Sequence, residues 1–253
     1  MIFDQAEYAL RCEWGAQGVR QLRAISDVLI VVDVLSFSTA VDIAVSNGAV
    51  VFPYGDRDER VEDYARTRSA QIAEKVRTQS GFSLSPASLR RVASGYRLVL
   101  PSPNGGALSL TAFRAVAGGG TVTFTACLRN AGAVAHAARQ LGSTFAVIPA
   151  GERWPDGSLR PAVEDWIGAG AVLARLPGRP SPEAAMAIAA FESLVGLCGP
   201  ALEGSSSGKE LIDRGFGEDV ALAAELDAST AAPRLHDGGF VGQVTDLPSQ
   251  KGE

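Results

Sequence analysis

The stretch Asp27–Asn47, DVLIVVDVLSFSTAVDIAVSN, constrains the fold of this chain more than any other. Asp27–Asp33 is a short apolar run of Val, Leu and Ile that stops at a carboxylate, as expected of a strand buried on both faces of a sheet. Ser36, Phe37, Ser38 and Thr39 follow, and Ala40, Val41, Ile43, Ala44 and Val45 then recur at helical spacing. The segment reads as strand, acidic corner, hydroxyl-rich turn and helix. In open α/β sheets, ligands bind beyond the carboxyl ends of strands, where helix N-termini present unpaired N–H groups. A carboxylate at such a corner can hold a metal, and Ser or Thr there can hold a phosphate. The plain structural alternative is that Asp33 and Ser36 cap the helix.

The same alternation continues along the chain. Strands are expected over Glu7–Trp14, at a sheet edge, and over Gly48–Tyr54, Arg97–Leu100, Thr121–Ala126 and Thr144–Ala150. Helices are expected over Arg57–Val76, Ala107–Ala117, Arg129–Leu141, Ala162–Leu176, Pro182–Cys198, Ser205–Gly215 and Glu218–Leu226. Thr78–Arg91 and Gly151–Pro161 read as loops, and Arg234–Val244 as a terminal hairpin. Strands alternating with helices give an α/β class: a three-layer α/β/α arrangement around a mostly parallel, mixed sheet. With 253 residues, 46% of them apolar, the chain suits one domain over 1–253, its last ~9 residues a frayed tail.

Charge and cysteine content exclude several classes. The net charge is −5 and the basic residues are scattered, which speaks against a nucleic-acid stripe or a polybasic membrane anchor. Cys12, Cys127 and Cys198 are odd in number and lack CxxC spacing, so neither a disulfide scaffold nor a thiolate zinc site is expected. Without a leader pattern or an apolar run near 18 residues, the expectation is a soluble, cytoplasmic protein that does not contact the membrane. A homodimer is left open.

Several familiar chemistries fail on spacing. A haloacid-dehalogenase nucleophile needs a second Asp where Leu35 stands. No cysteine is followed by Arg at the tyrosine-phosphatase distance, and His136 and His236 belong to no HExxH motif. GSSSGKE at 204–210 lacks the first Gly of a Walker loop and has Glu210 at the magnesium-binding hydroxyl position. GAGA at 168–171 reads as close helix packing, and GxSxG is absent.

Four loops remain that could converge at strand ends. They carry Asp33 with Ser36, Ser38 and Thr39; Ser102 with Asn104, Gly105 and Gly106; Cys127 with Arg129 and Asn130; and Arg153 and Arg160 with Glu164 and Asp165. A Gly pair opening a helix lets backbone N–H groups approach an anion closely. Anion-binding turns together with carboxylates suit Mg²⁺ holding a phosphate, because that ion takes one or two carboxylates plus water and phosphate oxygens. Asp33, Glu164 and Asp165 are the candidate metal ligands and catalytic carboxylates. Ser36, Ser38, Thr39, Asn104, Gly105, Gly106, Arg129 and Asn130 are the candidates for holding phosphate or substrate acid. Taken one at a time, these loops are equally ordinary turns and helix caps.

Ordered blocks add a resemblance. DVLSFST at 33–39, SPNGGAL at 102–108, LRNAGAVA at 128–135, AG at 150–151 with EDWIGAGAV at 164–172, SSSGKEL at 205–211 and EDVALAAELDAS at 218–229 resemble successive blocks of the 2-phosphosulfolactate phosphatase family. The resemblance implies an α/β/α fold and a magnesium-dependent phosphatase of the coenzyme M biosynthesis type, acting on a small phosphorylated hydroxy acid. Two positions depart from the pattern: Ser36-Phe37 stand where the family has Arg-Ala, and Gly106 where it has Thr. Losing a cation at position 36 makes 2-phosphosulfolactate itself an expected poor substrate. It also leaves a rival from another class, a non-catalytic small-anion-binding protein that kept the fold. Whether Asp33 ligates metal or attacks phosphorus is not decided by the residues.

Overall fold

Val28, Ile30 and Val32 pack into one apolar cluster, and the alternating Leu29 and Val31 into another. Phe145 and Val147 join the first of these, Ala146 and Ile148 the second. Period-two sorting with both sets buried means a sheet covered by helices on each face. A buried aliphatic side chain contributes about 1.5–3 kcal/mol. Truncating Ile30, which is fully buried, to Ala would cost about 2–5 kcal/mol.

The structure, a computed structural model, describes residues 2–77, 81–114 and 120–242. In chain order its strands are β1 (Leu10–Cys12), β2 (Val28–Val32), β3 (Val50–Tyr54), β4 (Gln71–Ile72), β5 (Arg97–Pro101), β6 (Val122–Ala126), β7 (Phe145–Pro149), β8 (Glu152–Arg153), β9 (Leu159–Arg160), β10 (Arg234–His236) and β11 (Gly239–Val241). The helices are α1 (Gly15–Leu22), α2 (Phe37–Ser46), α3 (Val61–Arg66), α4 (Gly105–Arg114), α5 (Ala131–Ala138), α6 (Val163–Leu173), α7 (Pro182–Glu192), α8 (Cys198–Gly204), α9 (Ser206–Asp213) and α10 (Gly217–Ala223). Nine strands form one mixed sheet in the order β1-β7-β2-β6-β10-β11-β3-β5-β4. One parallel block holds β1, β7, β2 and β6, another β3, β5 and β4.

The β10–β11 hairpin joins the blocks by a single antiparallel pair on each side, Arg234 opposite Phe124 and Phe240 opposite Val51. Backbone pairing is thin there, and side chains reinforce it: Phe240 sits edge-on to Phe37 of α2 at 6.2 Å. Around the first block, α5, α6 and α7 pack in one cluster, and α1 with α4 in the other. Around the second, α2 packs with Val51 and Leu98, and α3 with Phe52 and Val99. This is the expected α/β/α arrangement, with β1 at the edge.

Three local expectations are corrected. The helix expected over Arg57–Val76 is only α3, because Ser69 turns back at φ +48 and Gln71–Ile72 pair with β5. The loop over Gly151–Pro161 holds the short β8–β9 hairpin. The helix over Pro182–Cys198 splits into α7 and α8 around Gly196, whose φ is +81. The packing reading of GAGA holds, since a Cβ at Gly170 would lie 1.9 Å from the Ala187 carbonyl oxygen. Residues 115–117, 243–244 and the expected tail lie outside the described residues. No described helix is long and apolar enough to cross a membrane.

Candidate active site

Asp33 directly follows β2 and caps two helices with one carboxylate. Its Oδ1 accepts the Phe37 N–H of α2 at 3.1 Å, and its Oδ2 accepts the Gly105 N–H of α4 at 2.8 Å. Both donors are first-turn amides without intrahelical partners, so the carboxylate satisfies them and sits at two positive helix ends. Gly105 permits this approach: a Cβ there would lie 2.7 Å from Asp33 Oδ2 and from the Phe37 ring. The cap and the binding-corner readings of Asp33 therefore describe one geometry.

Asp165, in the first turn of α6, does the same for two loops. Oδ1 accepts the Val34 N–H at 2.7 Å and Oδ2 the Gly151 N–H at 2.8 Å, tying the ends of β2 and β7. Its neighbour Glu164 is also buried and has no hydrogen-bond or ion-pair partner among the described residues. A fourth carboxylate, Glu152 on β8, accepts a hydrogen bond from Asn104 Nδ2 at 2.8 Å.

These acids press on one another. Burial pushes Asp33 up to about 6, with Glu164 adding to the rise and the Gly105 and Phe37 N–H groups opposing it. Burial pushes Glu152 up to about 7, with the charges of Asp33 and Glu164 contributing. Burial, then Asp33 and Glu164, hold Asp165 well above the ordinary carboxylate range. Desolvation and like charges raise an acid in the same direction. Burial and mutual repulsion outweigh the opposing charges, Arg77 on Asp33 and Arg160 on Glu152.

A cavity of about 230 Å³ opens on it, lined by Asp33, Ser36, Arg77, Asn104, Glu152 and Arg214 among others. Glu164 and Asp165 lie behind this wall and not on it. From α9, Ser207, Glu210 and Leu211 complete the lining. Ser207 and Glu210 belong to the 204–210 segment whose spacing fails as a Walker loop.

The structure brings Ser36 and Asn104 to the cavity with Asp33, while Gly105 is not in its lining and serves it through the N–H it gives to Asp33. Gly106 packs beneath the turn, where a Cβ would lie 2.3 Å from the Tyr54 carbonyl oxygen. Ser38 and Thr39 are fully buried and serve the corner from inside. Ser38 Oγ accepts the Asp33 N–H at 2.9 Å, and Thr39 Oγ1 donates to the Val34 carbonyl at 2.7 Å. Arg129 and Asn130 are not brought to this cavity. Arg129 pairs with Asp42 at 2.9 Å and with Glu225, and Asn130 accepts the Cys127 N–H at 2.8 Å as a helix-start cap. Arg153 lies outside the cavity lining and donates to Asp56 at 3.3 Å. Arg160 reaches only its edge, donating to Ser207 Oγ at 3.0 Å.

Sequence reasoning passed over Glu152 and Arg77. Arg77 corrects the expectation that Ser36 leaves the corner without a cation. Its Nη2 donates to Ser36 Oγ at 3.0 Å, so a guanidinium from 41 positions away stands at that corner. The ground for expecting 2-phosphosulfolactate to be a poor substrate is thereby removed.

Mg²⁺ can be tested against this donor set. Each Asp33 oxygen accepts a single N–H and keeps a lone pair, and crowded, buried carboxylates gain from a cation. Among the described residues no three Asp, Glu, His or Cys side chains form a ready cage. A dedicated all-protein cage is unusual for Mg²⁺, which relies on water and substrate phosphate for most of its shell. The residues present fit such an ion.

A family model described as 2-phosphosulpholactate phosphatase matches residues 16–238. A probable 2-phosphosulfolactate phosphatase of Gloeobacter violaceus is 31% identical over 227 residues, covering 86% of this chain and 92% of that protein. A 2-phosphosulfolactate phosphatase of Methanothermobacter thermautotrophicus is 29% identical over 215 residues, covering 84% of this chain and 88% of that protein.

Proposed function

Because this chain belongs to the 2-phosphosulpholactate phosphatase family, we propose that it hydrolyses the phosphate monoester of a small hydroxy acid of the 2-phosphosulfolactate type, with Mg²⁺. One observation carries the reading: a buried carboxylate, Asp33, is fixed by two helix-start N–H groups on the wall of a small polar cavity with Arg77 and Arg214 beside it.

Asp33 would hold the ion together with Glu164. Asp165, both of whose oxygens receive main-chain N–H groups, would keep the two loops in register. When bound, Mg²⁺ supplies neutralising charge to the phosphoryl oxygens and orients or activates a water. The remaining work falls to the chain. Asn104 Nδ2 orients Glu152 toward the cavity. The N-termini of α2 and α4 add positive potential where the phosphoryl group would lie. Arg77 and Arg214 neutralise the further negative charge of a phosphorylated acid. Glu152, raised to about 7 on the cavity wall, would give a proton to the leaving oxygen near neutral pH.

The test is phosphate release from 2-phosphosulfolactate and from 2-phospholactate, with Mg²⁺ and with EDTA. Turnover that disappears in EDTA and returns with Mg²⁺ is expected. Binding of the esters with no release under either condition would overturn the reading.

A further inference from the structure

We propose that Arg77 is the specificity-determining residue of this cavity: it receives the organic acid group of the substrate, a carboxylate or sulfonate, and not the phosphoryl group. The proposal rests on the phosphatase reading for what else the substrate carries.

Arg77 comes from the segment between β4 and β5 and is held from behind. Its Nη1 donates to Asp219 Oδ2 at 2.9 Å and to the Leu84 carbonyl at 3.2 Å. Asp219, on α10, is 1% exposed, and its second oxygen is filled by Ser85 Oγ at 2.6 Å and the Ala87 N–H at 3.0 Å. The Phe216 ring lies 5.7 Å from the guanidinium carbon. A buried ion pair of this kind gains little stability over apolar packing, but it fixes a guanidinium in one orientation.

These bonds, with the one to Ser36, use three of the five N–H groups of the arginine. Nε–H and one Nη2–H have no protein partner among the described residues, Nε is not sealed from solvent, and the residue lines the cavity. An unfilled, pre-oriented guanidinium on a cavity wall matches a planar carboxylate or a sulfonate.

The cavity is divided in a way that assigns the two substrate anions. Asp33, Asn104 and Glu152 make the acidic part, which takes an anion only with a cation between. Arg77, bonded to Ser36 and to the Leu84 carbonyl, lines the same cavity with Leu35, Leu211 and the second arginine, Arg214. A small ester with phosphate at one end and an acid at the other fills both parts. Arg214 is half exposed and engaged with Glu210 at 3.0 Å, which makes it a rim charge and not the primary contact.

The experiment compares wild type with Arg77→Gln and Arg77→Lys on ethyl phosphate, 2-phospholactate and 2-phosphosulfolactate at fixed Mg²⁺. Binding of phosphate-free lactate and sulfolactate is measured alongside by calorimetry. Arg77→Gln is expected to lower kcat/KM for the acid-bearing esters about 10- to 10²-fold more than for ethyl phosphate, mainly through KM. Arg77→Lys keeps the charge beside Asp219, so it reports the same selectivity if Arg77→Gln does not fold. Equal losses on all three esters would assign Arg77 to the phosphoryl group and overturn the proposal, as would no change in selectivity. The calorimetry stands apart from turnover. Loss of sulfolactate binding in Arg77→Lys supports the proposal even if wild type releases no phosphate, an outcome that would sink only the phosphatase reading. Sulfolactate binding that is absent in wild type, or unchanged in Arg77→Lys, counts against the acid site itself.

Discussion

Two buried aspartates flank α2, one just before it and one within it, and they have opposite surroundings. Asp42 is fully buried and compensated: Arg129 Nε meets it at 2.9 Å and Ser229 Oγ at 2.6 Å, and Glu225 balances the arginine from the other side. Asp33 is also buried and has two N–H donors, three further carboxylates within electrostatic reach and, among the described residues, no ion-pair partner. A carboxylate whose charge is answered inside the protein is a piece of architecture. One whose charge is left over, on a cavity wall, is free to answer a charge brought by a ligand.

The sharpest way to break this comparison is to neutralise each aspartate. Asp33→Asn should lower kcat at least ~10²-fold, because one carboxylate at a desolvated metal site supplies several kcal/mol of barrier. The amide also leaves one helix-start N–H without an acceptor, at about 1–3 kcal/mol of stability. Activity measured beside the melting curve separates the two. An active Asp33→Asn, or one that simply unfolds, would make Asp33 a cap only.

Asp42→Asn should show the reverse. Removing one partner of a buried ion pair costs about 3–5 kcal/mol, on the order of 10 °C in Tm for a chain of this size. Activity per folded molecule should stay within about threefold of wild type, a barrier change under ~1 kcal/mol. A selective loss of turnover with unchanged Tm would move Arg129 back into the site.

Magnesium sharpens the comparison through pH. Asp33 and Glu152 sit at about 6 and about 7 when folded, above their unfolded values, so the folded state holds more protons. Stability from these groups is therefore fullest in acid and is lost as pH rises from about 4 to about 7. Added Mg²⁺ should raise Tm more at pH 8 than at pH 5, and Asp33→Asn should blunt that rise while Asp42→Asn does not. A magnesium effect independent of pH, or present equally in Asp33→Asn, would detach the cluster from the ion.

The smallest effect is expected at Cys127. Burial pushes its thiol up to about 12, and Asp42 adds to the rise, so no thiolate nucleophile is available. Cys127→Ser should retain activity within about tenfold, roughly 1.4 kcal/mol of barrier. Abolished turnover with an intact fold would point to a thiol route instead.

Local pattern made Asp27–Asn47 legible. An apolar run, a carboxylate, hydroxyls and a helical period are all contiguous, and β2, Asp33 and α2 follow from them. Asn104 and Gly105 were legible for the same reason, as a turn opening a helix. Glu164 and Asp165 were found as an acidic first turn. Their division into an unpartnered side chain and a two-loop clamp was not visible, because the partners of Asp165 come from the far ends of β2 and β7.

What the sequence by itself determined is the class of fold and the corner where β2 meets α2, because periodicity and capping are properties of neighbours along the chain. What only the tertiary structure decided is the charge of that corner. Ser36 looks neutral in sequence until Arg77, 41 positions on, is carried to it by Asp219. Arg129 looks like an anion ligand until Asp42, 87 positions away, claims it. Coulomb energy depends on distance in space and on burial, and neither is written in residue order.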